Sequence, residues 1–378
     1  MKTSILFGII ALLLLAACAQ EAVQSTPAKE PVVIKIGALL PLSGDAAAYG
    51  TEFQRVADIA LEEINAQGGV NGNKLEIIYE DSKCNPKDGA TAAQKLIDVD
   101  KVKVILGGAC SGETLGAAPI AEQAKVIMLS PSASSPDITN AGDFIFRTNP
   151  SDAYAGKIAA EKTIRMGFKK VAIIHETTDY AQGLKKVFEE TFRNKGGEVA
   201  TIEKYGSDEN DFKTQLSKIK ASNPEAVYIV TQSPNKAGLI LKQMKQIGLN
   251  KQVIMDAVMI RGTLKDSADL LEGVVGVEPK FDQNGATAKA LFDKYHAKYG
   301  NETFGFYDAA TYDAVYLIAE GVGKHGDNAE AFRDFLYATK NRPGAIGDIT
   351  FDKNGDLITK FSVTQVKNGK LEEIEVAQ

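Results

Sequence analysis

Short β-branched runs alternate along the chain with segments whose apolar positions recur at helical spacing, and that alternation predicts parallel sheet. Strands are expected over 34–40, 75–79, 102–106 and 126–129. Between the first two, Phe53, Val56, Ala57, Ala60, Leu61 and Ile64 recur at i, i+3, i+4, i+7, i+8 and i+11, a helix over 50–67 that Gly68-Gly69 ends and whose apolar face packs on the sheet. A second run opens after Pro150, with strands over 171–174, 198–202, 226–230 and 253–255.

The second run repeats the plan of the first. Lys35-Ile36-Gly37-Ala38-Leu39 leads to a loop, Tyr49, a helix and Gly68-Gly69; Lys170-Val171-Ala172-Ile173-Ile174 leads to a loop, Tyr180, a helix and Gly196-Gly197. Each first strand feeds a loop at its carboxyl end, where open α/β sheets bind ligands, so Tyr49 and Tyr180 occupy equivalent rims. Each is equally readable as a helix-start residue packing its own lobe.

The last hundred residues hold helical segments over 286–298, 307–322 and 329–339, then strands over 346–351 and 361–367. These helices lack a sheet of their own, so the chain is expected to return to the first lobe for them and to the second for the closing strands. Proline and glycine punctuation at Asn149-Pro150, Glu278-Pro279 and Arg342-Pro343-Gly344 marks three crossings, a hinge. The fold class is therefore α/β, two doubly wound lobes joined by a three-crossover hinge. Lobe 1 is expected over 32–150 plus 280–343, and lobe 2 over 151–279 plus 344–378.

Length agrees, since 378 residues exceed what one core organises. Hydrophobic residues make up 44% and charged residues 24%, which excludes wholesale disorder. With 43 Lys+Arg against 49 Asp+Glu, a formal charge of -6 and no sustained basic run, nucleic acid is not an expected partner.

The N-terminus changes the picture most. An apolar run from Ile5 to Ala17 follows Lys2 and is shorter than the roughly 20 residues of a membrane-spanning helix, so 1–17 reads as a signal peptide. Leu15-Ala16-Ala17-Cys18 resembles a bacterial lipobox, whose cysteine is lipidated and becomes the mature N-terminus; the alternative is an ordinary cleavage site with an incidental cysteine. The polar, proline-bearing stretch over 18–31 reads as a tether. Export with a lipid anchor to the cell envelope follows, on the periplasmic or extracellular face. Cys84 and Cys110 then remain in a compartment where disulfides persist and are expected to pair, adding roughly 3 kcal/mol by chain entropy. Two separate thiols are the alternative.

Two hydroxyl-rich loops follow adjacent strands. Leu106-Gly107-Gly108-Ala109-Cys110-Ser111-Gly112-Glu113 opens a helix whose N–H groups and serine suit a carboxylate or phosphate, unless Ser111 is simply the N-cap and Glu113 the charge that compensates the dipole. Ser130-Pro131-Ser132-Ala133-Ser134-Ser135-Pro136 follows the next strand, where serines also satisfy turns. Walker, dinucleotide and H-E-x-x-H motifs are missing and the chain has only His175, His296 and His325, so neither metal nor cofactor is expected. Gly108-Ala109-Cys110-Ser111-Gly112 matches a hydrolase elbow with Cys110 as nucleophile and His175 as base, a reading that a disulfide at Cys110 would abolish.

The chain resembles the branched-chain amino-acid binding proteins, type I periplasmic solute-binding proteins of ABC transporters. The resemblance runs through Pro41-Leu42-Ser43-Gly44 with Tyr49-Gly50, Ile64-Asn65-Ala66-Gln67-Gly68-Gly69-Val70-Asn71-Gly72, Asp81-Ser82-Lys83-Cys84-Asn85-Pro86, both serine loops, and Tyr312-Asp313-Ala314-Val315. It implies two lobes closing on an amino acid or related carboxylate or amide, no enzyme activity, a disulfide between Cys84 and Cys110, and delivery to an ABC permease. By position, Ser111 would meet the ligand carboxylate, Ser132 and Ala133 would offer backbone groups, and Ser134 a hydroxyl. Tyr49 and Tyr180 would cover the ligand, and Asp256 would pair with an α-ammonium. A receptor-coupled sensing module is the alternative role. Asp256 is shorter than the family's usual glutamate, and Gln232-Ser233 replace aromatic contacts, so the ligand itself is not fixed.

Overall fold

The computed structural model describes residues 32–300 and 304–377; the expected signal peptide, Cys18 and nearly all of the tether lie outside the described residues. The first lobe opens with β1 (Val33–Leu40), α1 (Ala47–Ala66), β2 (Lys74–Asp81), α2 (Pro86–Asp98), β3 (Val104–Gly107), α3 (Ser111–Ala124), β4 (Ile127–Ser130) and β5 (Ile145–Arg147). Its five strands are all parallel in the order β2-β1-β3-β4-β5. The order reverses at β1, which places the loops after β1 and β3 at the switch point where such sheets open a crevice. Leu96 and Ala117 from α2 and α3 pack on one face of the sheet, and Phe53, Val56 and Ala60 from α1 on the other.

The chain then crosses at Asn149-Pro150 and builds α4 (Asp152–Arg165), β6 (Lys170–Glu176), α5 (Asp179–Asn194), β7 (Glu198–Tyr205), α6 (Lys213–Ala221), β8 (Ala226–Val230), α7 (Pro234–Gln246), β9 (Gln252–Asp256), α8 (Ala257–Ser267) and β10 (Val275–Pro279). The strands run parallel in the order β10-β9-β8-β6-β7, with the reversal now at β6. Phe188 of α5 stacks on Tyr228 of β8 at 3.9 Å, an aromatic pair that fixes α5 over the sheet and sets the position of Tyr180 two turns earlier.

After β10 the chain returns to lobe 1 for α9 (Ala286–Tyr299), α10 (Phe306–His325) and α11 (Ala329–Ala338). Leu291, Tyr295, Val315, Ile318 and Leu336 complete the core under α1. The hairpin β11 (Arg342–Gly344) and β12 (Gly347–Ile349) comes next. Finally β13 (Phe361–Lys367) and β14 (Lys370–Ala377) add antiparallel strands to the lobe 2 sheet beside β10.

The structure corrects the third crossing. The sequence reading sent 344–378 to lobe 2, yet Ala345, Ile346, Ile349, Phe351 and Leu357 lie in the lobe 1 core. The backbone N–H groups of Ala345 and Ile346 donate to the buried Asp313 carboxylate of α10 at 2.8 and 2.9 Å, so Arg342-Pro343-Gly344 enters a tethered hairpin rather than a linker. The crossing falls between Leu357 and Phe361. It is tied to the first crossing by the wholly buried Arg147, which forks onto Asp356.

Candidate functional site

The carboxyl ends of β3, β4, β6 and β9 converge on one crevice between the lobes. From lobe 1 come Ser111, the first residue of α3, and Ser132 and Ser134 from the loop after β4. From lobe 2 come Tyr180, in the first turn of α5, and Asp256, the last residue of β9. Tyr49 of α1 completes the wall. The enclosed cavity has a volume of only about 40 Å³.

The serine loops are sewn to one another, which fixes their geometry. Ser111 Oγ accepts from the N–H groups of Ser134 and Ser135 at 3.3 and 3.0 Å. Ser132 Oγ donates to Ala109 O at 2.8 Å, and Ser130 Oγ to Gly108 O at 2.6 Å. Ser111 is not the helix cap. That position belongs to Cys110, and the buried Glu113 carboxylate accepts from the N–H groups of Ala109 and Cys110 and from Ser82 Oγ. Burial pushes Glu113 up to about 7 against those bonds. With Glu113 answering the donors that precede the helix, the Ser111 side chain is left at the crevice wall.

One expected residue does not line the cavity. Ala133 donates its N–H to Ser130 Oγ at 3.0 Å and its carbonyl accepts from Arg147 at 3.3 Å, so the loop's own turn and the buried guanidinium use the groups assigned to ligand. The other six expected residues are brought together. Residues the sequence reading missed join them: Phe53, read as an apolar helix position, Met259 of α8, and Tyr307, hidden in the aromatic run Phe304-Gly305-Phe306-Tyr307.

Asp152 was also missed. It opens α4 directly after Ser151, whose hydroxyl caps the helix, so in sequence it is an ordinary first-turn acid. In the fold it is 5% exposed and its carboxylate accepts from Ser134 Oγ at 2.7 Å. Burial pushes it up to about 8, opposed by that hydroxyl and reinforced by the Asp256 charge. Asp256 accepts from Val258 N–H at 2.7 Å and from the Tyr180 hydroxyl at 3.2 Å. Burial raises it to about 6. Two desolvated carboxylates that feel each other, with no cation bonded to either, form an acceptor for an ammonium group.

The mouth is closed by contact between the lobes. A Cβ placed on Gly183 of α5 would lie 2.9 Å from Pro136 Cδ and from Ser135 Oγ, and one on Gly112 would lie 2.8 Å from Asp179 Oδ2. Glycine is needed here because the opposite lobe occupies the space. Gly183→Leu should therefore obstruct closure at a cost of about 1–3 kcal/mol, a loss of about 5- to 150-fold in affinity for any solute gripped by both lobes. The unliganded protein should be as stable as the parent or slightly more so, because a helix-interior glycine is removed. Titration calorimetry and thermal melts of the ligand-free variant separate the two effects, and unchanged affinity would contradict the closure.

Chemistry on a nucleophile finds no support in this geometry. Cys84 and Cys110 form a disulfide with Cα atoms 5.3 Å apart, which removes the thiol that the hydrolase reading required. His175 is buried with Nδ1 against Glu176 O at 2.8 Å and is held below its ordinary pKa by desolvation. The grouping of Cys84, Cys110 and Glu113 offers no thiolate to a metal for the same reason. Among the described residues no helix is long and apolar enough to cross a membrane.

Comparison with known proteins bears on family and fold. The family described as periplasmic binding protein matches residues 33–370. A leucine-, isoleucine-, valine-, threonine-, and alanine-binding protein of Pseudomonas aeruginosa is 34% identical over 335 residues, covering 86% of this chain and 87% of that protein. Among solved structures, the branched-chain amino acid transporter substrate binding protein of Streptococcus pneumoniae in complex with isoleucine superposes with a TM-score of 0.80 at 31% identity, over 91% of this chain and 99% of that one. The solute binding protein of an ABC transporter from Rhodopseudomonas palustris BisB5, in complex with 3,4-dihydroxy benzoic acid, gives 0.80 at 26% identity over 91% and 96%.

Proposed function

The chain belongs to the periplasmic binding protein family, and from that premise we propose that it captures an amino acid between its two lobes and hands it, chemically unaltered, to an ABC permease. Its relatives are solute-binding proteins, and the protein is a binder rather than an enzyme. The observation that carries the amino-acid reading is the polarity of the crevice. Ser111 and Ser132 line the lobe 1 side, while Asp256, with Asp152 behind Ser134, supplies negative charge at the other pole, where an α-ammonium would compensate it.

Ligand would dock first on the rigid serine loops of lobe 1. Tyr180 and Asp256 would then engage as the hinge closes, contacts that exist only in the closed form and so shift the population toward it. Attachment to the envelope through lipid on Cys18, after removal of residues 1–17, is part of the same reading and rests on Leu15-Ala16-Ala17-Cys18. It would hold the binder near its permease.

Aromatic carboxylates are the second reading, supported by the rings of Tyr49, Phe53, Tyr180 and Tyr307 around the cavity and by the relative that holds 3,4-dihydroxy benzoic acid. The carboxylate pair weighs against it, since an acid without an amine leaves Asp152 and Asp256 desolvated and uncompensated. A thermal-shift screen over amino acids, amides and aromatic carboxylates decides. A ligand at 100 times its Kd stabilises the folded state by about 2.7 kcal/mol. Amino acids should raise the melting temperature and benzoates should not; the reverse result would replace the first reading by the second.

A further inference from the structure

The inner crevice is too small to be the whole binding site. Ligand pockets span roughly 300–1,000 Å³, against about 40 Å³ here. A second cavity of about 530 Å³ lies directly beside it, and Tyr49, Phe53 and Tyr307 line both. Those three rings are the partition, so a chain leaving the inner crevice runs between them. The outer chamber is walled by the start of α1 and α10 from lobe 1, and by α8 and the end of β10 from lobe 2.

Its chemistry is one-sided. Asp45, Glu52, Asp266, Glu278 and Asp308 line it, against Arg261 and Lys265. Arg261 forks onto Glu278, which satisfies both. Asp308 stands apart: it is 5% exposed, its Oδ2 accepts from Gly305 N–H at 2.8 Å, and its Oδ1 is enclosed with no hydrogen-bond partner. A buried carboxylate oxygen left unsatisfied costs free energy that a donor on a ligand would recover. Burial, with Glu52 alongside, pushes Asp308 up to about 8. The hydroxyl of Tyr49, on the partition, is likewise enclosed without a partner.

We propose that this outer chamber is a side-chain subsite that takes the terminal ammonium or guanidinium of a long basic amino acid, with Asp308 as its acceptor and Tyr49, Phe53 and Tyr307 around its apolar stem. The inference rests on reading the inner crevice as the site of the α-carboxylate and α-ammonium. Phe306 and Leu264 continue the apolar lining beyond the partition and offer contact to the stem on its way to the acid. A branched aliphatic side chain would leave Asp308 as it is, and would gain nothing from the second chamber beyond apolar contact.

Calorimetry with L-arginine, L-lysine and L-leucine as probes, on the wild-type protein and on Asp308→Asn, tests the proposal. Asparagine keeps an oxygen for the Gly305 N–H but removes the charge. Arginine and lysine should bind wild type and weaken by about 10- to 150-fold in Asp308→Asn, while any leucine affinity stays within about two-fold. Should that variant fail to fold, Ala48→Phe fills the outer chamber from its solvent side and should weaken only the basic amino acids. Leucine binding to wild type without arginine or lysine, or equal losses for all three in the variant, overturns the subsite and leaves the amino-acid reading standing. Failure of every amino acid on wild type would remove both.

Discussion

Asp256→Asn is expected to lower affinity for an amino acid by about 30- to 5,000-fold, the 2–5 kcal/mol cost of removing one partner of a buried charge pair. The fold should survive, because the asparagine oxygen still accepts the Val258 N–H that caps α8, while its amide NH2, in place of Oδ2, can donate to the Tyr180 hydroxyl oxygen. The same charge makes binding depend on pH. In the empty site burial, with the Glu278 charge, pushes Asp256 up to about 6, and burial, with the Asp256 charge, pushes Asp152 up to about 8. An ammonium binds the ionised forms, so affinity should be weak at pH 5 and climb through both values to a plateau near pH 8–9.

Stability of the empty protein runs the other way. Both folded pKa values lie above the unfolded 3.8, so the contribution is present below that value and is lost as pH rises through about 6 and 8. The ligand-induced rise in melting temperature should therefore widen across that window. An affinity independent of pH between 5 and 9, or unchanged by Asp256→Asn, would remove the carboxylate from the site.

What the sequence disclosed follows from which signals are periodic. Strands β3, β6 and β9 are buried along most of their length, so their β-branched runs stand out between helical stretches, and their carboxyl ends locate Ser111, Tyr180 and Asp256. Four strands escaped, β11 among them because Arg342-Pro343-Gly344 reads as a crossing. β5 is three residues long, β10 ends in Glu278-Pro279 and so imitates a linker, and β14 is an edge strand whose charged residues mask its alternation. Arg342-Pro343-Gly344 misled for a related reason: the same residues that mark a crossing also open a hairpin, and only the long-range tether of Ala345 and Ile346 to Asp313 distinguishes them.

The site was legible where residue type and strand end coincide. Asp152 and Asp308 were not, because each sits in the first turn of a helix, where an acid is commonplace. Their meaning comes from burial by elements far away in sequence: Asp152 is enclosed beside Ser134 and Asp256, and Asp308 beside Glu52. No local pattern carries that information.

Arg147 shows the same dependence on distant chain and carries the largest expected effect on stability. The side chain is 0% exposed. Its Nε and Nη2 donate to Asp356 at 2.6 and 2.9 Å, Nη1 to the carbonyls of Ser135 and Ala133 at 2.9 and 3.3 Å, and Nη2 also to Thr139 Oγ1 at 2.8 Å. One guanidinium thus braces the serine loop from behind and locks the first crossing to the third. Arg147→Met removes the charge but keeps much of the apolar stem, stranding Asp356 as an unpaired buried carboxylate and leaving the two loop carbonyls without that donor. The expected cost is about 3–5 kcal/mol, read as a lower urea midpoint at unchanged slope. Because the burden falls mainly on the orphaned acid, Arg147→Met combined with Asp356→Leu should recover most of the loss, an apolar pair being a fair substitute for a buried ion pair. Amino-acid affinity separates the brace from the ion pair. The double variant should regain stability yet bind more weakly than wild type, since the carbonyls of Ala133 and Ser135, which flank Ser134, lose their donor on Arg147. A loss below about 1 kcal/mol in Arg147→Met would place the pair among those that contribute little, and full affinity in the double variant would show that the serine loop holds its shape unaided.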